Sequence, residues 1–373
     1  MSHLTAAKKV LRFTNIYGKH RTLFKVVGRS RVGIPLVWRS HPSPDVALIG
    51  CGQYGFATLG YFLTRRYGRR LRWCYDIDVK AAETCSKALG IGRVASSPDE
   101  IMADPNVSFV YIASNHASHT DYAVDALNAG KDVYIEKPVA VSLEQLSRLQ
   151  SAVLRNDARI FAGYNRPFSG AIQHIRSMLP ESPAGGVSLS CFVSGHRIPK
   201  NHWYRDPQEG TRICGNAGHW IDLLVHVLAW RGLPDIFSMQ LLSGDPDEGD
   251  DNFSLSISSN HGDIFSLMLT SRCEPFEGIN ETINFQQGDV IAKIDDFRSM
   301  TVWRNDFIAK KRFKPKDVGH RDGTLQPFEG RRGRDWQEIL VSTLLMLRIA
   351  DMVRSGRASD RLSVQDELAH IGH

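Results

Sequence analysis

The sequence has no apolar run approaching the ~20 residues that a membrane-spanning helix requires. Its opening residues lack the apolar core and small-residue cleavage site of a secretory leader. Its six cysteines, Cys51, Cys74, Cys85, Cys191, Cys214 and Cys273, form no CxxC pair and read as reduced thiols of a cytoplasmic protein. Acid is missing from one end: residues 1–40 hold nine Lys/Arg and no Asp or Glu, which leaves 37 basic and 40 acidic residues elsewhere. The net charge of +6 therefore belongs to an extension and gives no argument for a nucleic-acid-binding body. Residues 4–13 and 17–27 of that extension have weak helical periodicity. Three readings stand: a basic amphipathic segment on an anionic membrane surface, a transit peptide, or an ordered arm packed on its own body or a neighbouring subunit. We prefer the last.

At 373 residues the chain suits two domains, and 42% hydrophobic with 23% charged residues is ordinary for a soluble enzyme. The stretch that organises it begins at Asp45. A short apolar run, Val46 to Ile49, ends in Gly50-Cys-Gly52-Gln53-Tyr54-Gly55, and a helix is expected over Phe56–Tyr67. Strand, glycine turn and helix start form the context a dinucleotide fingerprint requires. Gly50 allows the tight turn, Gly52 lets a pyrophosphate approach the backbone, and Gly55 permits close packing of the helix. The helix N-terminus adds free N–H groups and a positive dipole end for phosphates.

From 45 to 138 apolar strands alternate with amphipathic helices, which implies a parallel sheet with crossovers. Strands are expected at 46–49, 71–75, 91–94, 107–112 and 132–135, and helices at 79–89 and 119–129. Ser97 is placed to cap a short helix, with Glu100 as its capping-box partner. Asp76, at the end of the second strand, suits the adenosine ribose hydroxyls and favours NAD over NADP. Ser114, Asn115 and His119 follow the fourth strand, at the sheet edge where ligands of open α/β sheets bind. Ser114 and Asn115 are candidate cofactor contacts. His119 is counted with them, although a first-turn histidine of this kind also has a purely structural use. Glu136-Lys137-Pro138 leaves the fifth strand at the same edge. It sets an ammonium beside the expected nicotinamide, with proline fixing a specific backbone for which a cis bond is one option.

Together, the glycine turn, Asp76, Asn115-His116-x-x-His119, Glu136-Lys137-Pro138 and Gly163-Tyr-Asn-Arg166 resemble the Gfo/Idh/MocA oxidoreductases over roughly residues 45–350. The resemblance implies an α/β protein. A Rossmann-type doubly wound parallel sheet (41–163) would follow the basic extension (1–40) and precede a second α/β domain (164–373) with a large open, mostly antiparallel sheet. It implies NAD or NADP as cofactor, a sugar-like small-molecule substrate, no nucleic acid, and a homodimer or homotetramer. Alternating runs at 187–194, 236–243, 253–258, 263–269, 281–285, 289–294 and 300–303 fit that second sheet. A long amphipathic helix is expected over 335–354, and 310–334 reads as an exposed connection.

The resemblance also assigns roles. His219 and Asp222, at i and i+3 on one helical face, match a His-x-x-Asp that contacts substrate hydroxyls, with the His in proton transfer. With Lys137 they form the implied catalytic set. Many relatives carry Asp four residues before that His; here Gly215 stands there, and Asn216 is the nearest polar group. Arg166, Trp203, Arg205 and Asn216 are candidate substrate contacts, two arginines suiting a phosphate or carboxylate. No metal site is expected, because His219, Asp222 and His226 stretch over two turns of one helix, and His226 reads as a satisfied core or interface histidine. Two rivals remain: an NAD-dependent glycosidase of the same fold, and a non-catalytic cofactor-binding regulator.

Overall fold

The computed structural model describes residues 3–244, 249–329 and 333–371. It opens with two helices, α1 (His3–Tyr17) and α2 (Lys19–Ser30). The chain forms two compact units: residues 17–163 with 321–336, and residues 1–16 with 164–320 and 337–373. Residues 1–40 thus divide between the two units at residue 16. No helix among the described residues is long and apolar enough to cross a membrane.

The first of these units is built on β1 (Val46–Ile49), β2 (Leu71–Tyr75), β3 (Arg93–Val94), β4 (Phe109–Ile112), β5 (Asp132–Ile135) and β6 (Ile160–Ala162), in the order β3-β2-β1-β4-β5-β6, all parallel. Every residue of β1 and of β4 is buried, as central parallel strands covered on both faces must be. The crossovers carry α3 (Tyr61–Tyr67), α4 (Val79–Leu89), α5 (Pro98–Ala103), α6 (His119–Asn128) and α7 (Leu143–Arg155). Asp78 caps α4 by accepting from the amides of Lys80 and Ala81, and Ser142 caps α7 by accepting from Gln145. The expected capping box at Ser97 does not form. Ser97 makes no cap hydrogen bond, and Glu100 instead accepts from the amide and hydroxyl of Ser96.

In the second unit α8 (Gly170–Met178) leads to a nine-stranded sheet. Its strands are β7 (Ser188–Ser194), β8 (Ile236–Ser243), β9 (Phe253–Ser259), β10 (Ile264–Thr270), β11 (Asn280–Gln287), β12 (Val290–Asp295), β13 (Ser299–Arg304), β14 (Phe307–Arg312) and β15 (Ser359–Ser363), in the order β14-β13-β12-β11-β7-β10-β9-β8-β15. Only β7 and β10 pair in parallel. Burial alternates residue by residue along β7, β9 and β12, the period of a sheet covered on one face. The helices of this part of the chain are α9 (Gly218–Ala229), α10 (His320–Leu325), α11 (Trp336–Ser355) and α12 (Val364–Ile371). The 310–334 connection differs from expectation: Val318, Thr324, Leu325 and Gln326 are buried, and residues 330–332 lie outside the described residues. Tyr111 fixes part of it by donating its hydroxyl to the Thr324 carbonyl at 2.7 Å.

Candidate active site

The glycine turn is tight for reasons its neighbours supply. Gly50 has φ 91°, and a Cβ there would lie 2.3 Å from the Ala113 carbonyl oxygen. A Cβ on Gly55 would lie 2.0 Å from the Gly50 oxygen, so the helix start sits directly on the turn. A Cβ on Gly52 would meet nothing within 4 Å, which leaves the middle of the turn open toward a ligand. The segment Gly55–Gly60 winds as π-helix before α3 begins. Such insertions recur at functional sites.

Asp76 closes the turn from the end of β2. One carboxylate oxygen accepts the Cys51 amide at 2.7 Å and the other accepts the Asp78 amide at 2.9 Å. Each oxygen keeps acceptor capacity beyond those bonds. Open backbone at Gly52, a helix start behind it and an acid at the adjoining strand end fit a dinucleotide. Gly50, Gly52 and Gly55 would hold the pyrophosphate, and Asp76 the adenosine ribose.

At the ends of β4 and β5 the side chains are tied to one another. The Lys137–Pro138 peptide is cis. Glu136 is buried and accepts the Lys137 amide at 2.9 Å; burial pushes its carboxyl up to about 7. Gly163 lies so close that a Cβ would be 2.5 Å from a Glu136 carboxylate oxygen. Ser118 ties Ser114 and Asn115 together through its hydroxyl, at 2.8 Å and 2.6 Å.

His119 lies inside the protein between the two strand-end loops. It is 1% exposed, with Nδ1 2.8 Å from the Pro138 carbonyl and Nε2 3.2 Å from the Ser114 carbonyl. Burial holds its pKa down to about 4, against the pull of those two carbonyls. It is a brace between the two strand-end loops. Thr120 and Gln145 extend the brace: Thr120 donates to the Val139 carbonyl at 2.9 Å, and Gln145 accepts the Val141 amide at 3.0 Å.

In the second unit another π-helical segment, Ile213–Ala217, precedes α9 and carries Gly215 and Asn216. Two residues before it, β-branched Thr211 is held at φ 63°, a strained conformation. His219 is half-buried on the first turn of α9, its ring edge-on to Tyr164 at 6.4 Å and to Trp220 at 6.1 Å. Asp222 is fully buried and accepts the Ser342 hydroxyl of α11 at 3.1 Å, a bond that ties α9 to α11. His226 is engaged on both ring nitrogens, with Glu338 at 2.8 Å and Trp230 at 3.4 Å.

Two of the expected substrate contacts, Arg166 and Arg205, are paired with acids inside the protein. Arg166 is 5% exposed and makes a bidentate pair with Glu281 at 2.8 and 2.9 Å, while its guanidinium lies 4.2 Å from the Trp220 ring centroid. Trp220 donates to the same Glu281 at 2.7 Å. Arg205 donates to Asp251 at 2.8 Å and to the Ile198 carbonyl at 2.9 Å, in a cluster that includes Asp250 and the buried Arg212. Burying a guanidinium requires paired acids, and both arginines have theirs. Trp203 is 44% exposed and Asn216 half-buried, so both keep surface for a ligand.

Reading the sequence missed one contact of the glycine turn altogether. Arg31, just past α2, donates from Nη1 to the Cys51 carbonyl at 3.2 Å. The only signal for it was the acid-free stretch that runs into β1.

Residues 45–164 match the model of the oxidoreductase family with an NAD-binding Rossmann fold, GFO_IDH_MocA. That stretch is the NAD-binding domain of a Gfo/Idh/MocA-type oxidoreductase. An uncharacterized oxidoreductase of Streptococcus pneumoniae is 29% identical over 196 residues, 52% of each chain. The scyllo-inositol 2-dehydrogenase (NAD(+)) of Bacillus subtilis is 28% identical over 180 residues, 48% of this chain and 50% of the other. The chain spans about half the length of the curated relatives it matches. Among solved structures, levoglucosan dehydrogenase in complex with NADH and L-sorbose superposes with a TM-score of 0.70 at 15% identity, covering 86% of this chain and 99% of that one. That likeness speaks for the fold alone.

Proposed function

We propose that the chain is an NAD(P)-dependent dehydrogenase that interconverts a secondary alcohol and a ketone on a sugar, cyclitol or nucleotide sugar. The observation that carries this reading is the loop Glu136-Lys137-Pro138, tied by Glu136 and by the His119 brace at the same sheet edge as the glycine turn. The nicotinamide, when bound, supplies the hydride acceptor or donor. The protein's part is orientation and the proton. In oxidation the carbinol C–H leaves as hydride and the hydroxyl proton goes to a protein base. Lys137 hydrogen-bonds the reacting oxygen and stabilises the charge developing there. His219, half-buried and next to Tyr164, is the group we assign to proton exchange, since an imidazole ring can both accept and donate a proton. Asp222 acts through α9 as a positioning residue. Trp203 and Asn216 are the remaining candidates for substrate contact, and Asp76 favours NAD through the adenosine ribose.

The curated relatives that include a scyllo-inositol 2-dehydrogenase support a polyol substrate class. The test is NADH formation by purified protein with NAD⁺ against a panel of inositols, aldoses and nucleotide sugars. For any substrate that turns over, Lys137→Ala should lower kcat by at least ~10³-fold and leave NADH affinity within about twofold. Equal turnover by the variant rejects the role of Lys137. Release of sugar from a glycoside that needs NAD⁺ but accumulates no NADH would replace the dehydrogenase with the glycosidase reading.

A further inference from the structure

His219 stands on the first turn of α9, a helix that continues from a π-helical segment and has no side-chain cap. What grips this turn is the side chain beside His219. Trp220 is fully buried, and its indole N–H donates to Glu281 Oε2 at 2.7 Å. The same oxygen accepts Arg166 Nε at 2.8 Å, and Oε1 accepts Arg166 Nη2 at 2.9 Å. The Arg166 guanidinium in turn lies over the indole, 4.2 Å from its centroid. The ring is thus held at its edge by an acid and on its face by a cation. Glu281 is itself fixed: its carbonyl accepts the Asp296 amide at 2.8 Å, and Lys316 donates to the Asp296 carboxylate at 2.5 Å. His219 meets Trp220 and Tyr164 edge-on, at 6.1 and 6.4 Å. Tyr164 stands two residues before Arg166, so both rings against His219 belong to segments that Glu281 ties together.

A plainer use for the Arg166–Glu281 pair would be to hold its unit together. Apolar residues of similar volume often do that as well or better, because both charges must be taken out of water. What the pair adds is direction. A bidentate fork fixes the planes of guanidinium and carboxylate, and an indole has a single donor on a single line. Direction matters beside a group that exchanges a proton, where a displacement of about 1 Å costs ~10²-fold in rate.

We propose that Glu281 is a positioning residue of the reaction: with Arg166 it fixes the Trp220 ring, and through that ring it sets His219 for proton exchange. The inference rests on reading His219 as the proton-exchanging group, and it adds a residue of β11 that lies 61 positions from Trp220 along the chain.

The experiment compares the full chain with two variants. Trp220→Phe loses the indole N–H and keeps the ion pair, while Arg166→Met/Glu281→Met removes both charges and leaves neither unpaired. Arg304→Met, which breaks an exposed pair with Asp289, is the surface control. Turnover is followed with NAD⁺ and whichever inositol, aldose or nucleotide sugar the wild type oxidises fastest. NADH affinity, the thermal midpoint and the His219 ring signal in proton NMR, assigned with His219→Gln, are recorded alongside. The double variant should lose ~10²-fold in kcat and Trp220→Phe ~10-fold, with KM and NADH affinity within about twofold of wild type. The His219 signal should shift in both and stay in place in Arg304→Met. Wild-type kcat or an unmoved His219 signal in the two variants overturns the proposal. So does a loss of kcat matched by an equal loss of NADH affinity, which would make the pair merely structural. If the double variant is recovered unfolded, Trp220→Phe decides by the same measures. A wild-type protein that oxidises no member of the panel would instead remove the role of His219 beneath the proposal.

Discussion

His119 and Glu136 are buried ionisable groups on adjoining loops whose charged forms burial opposes, and they pull stability in opposite directions with pH. His119 titrates at about 4 in the fold against an ordinary 6.5, so its contribution is fully present above 6.5 and is lost as pH falls toward 4. Glu136 titrates at about 7 against an ordinary 4.5, so its contribution is fully present below 4.5 and is lost as pH rises through 7. Each shift is worth ~3 kcal/mol, and between pH 4.5 and 6.5 the two nearly cancel. Glu136→Gln should therefore uncover a loss of ~3 kcal/mol in urea-unfolding free energy as pH drops from 6.5 to 4. A flat profile in that variant would remove His119 as the titrating group. Arg166→Met tests the pairing of Arg166 with Glu281. It leaves Glu281 buried without its bidentate partner and should cost ~3–5 kcal/mol, read by the same unfolding, with NADH affinity unchanged. Arg166 also marks where sequence reasoning ran short. Its pairing with Glu281 spans 115 residues, and nothing local to either residue announces it.

At the scale of the element, the helix after the glycine turn separates space from strain. On Gly55 a Cβ would collide with backbone, 2.0 Å from the Gly50 oxygen; on Gly60 it would meet the tip of Leu89 at 2.5 Å; on Gly52 it would meet nothing. Gly55→Ala should lower the thermal midpoint most and Gly60→Ala less, because a leucine tip can turn aside. Gly52→Ala should leave the ligand-free midpoint unchanged and weaken NADH, since its Cβ occupies the pyrophosphate's approach. A Gly52→Ala midpoint as low as that of Gly55→Ala would contradict the ordering. Much of this element was legible: apolar runs marked β1, β2, β4 and β5, and the glycine spacing marked the turn. The π-helical windings at Gly55–Gly60 and Ile213–Ala217 were not, because they shift hydrogen-bond partners without altering the apolar period. The failure at Ser97 is similar. Its motif was present, but Glu100 found Ser96, one residue earlier. In the second unit the alternating runs marked most strands, while β14 went unread because Phe307–Arg312 has no buried face to impose alternation.

For the whole chain, the arm decides both charge and stability. Without residues 1–40 the net charge turns from +6 to about −3, and the buried side chains Phe24, Val27 and Val37 are lost from the nucleotide unit's core. At ~1.5–3 kcal/mol for each buried side chain, the deletion should remove ~5–9 kcal/mol, comparable with the entire margin of an ordinary domain. The truncated protein should be recovered unfolded or aggregated, as judged by circular dichroism and gel filtration. A folded truncation with the wild-type midpoint would show the arm to be dispensable. The arm's two helices also differ in when their partners are made. α2 packs on residues that follow within about 70 positions, at Cys51, Gln53, Phe56 and Thr84. α1 makes its ion pair with Glu277 through Arg12, and Lys9 lies over the Phe276 ring. At ~5–20 residues per second of synthesis, α2 can dock within seconds of leaving the ribosome. The partners of α1 are made only ~13–50 s after it. α1 is thus made long before the residues that seat it, whereas α2 waits only seconds for its own.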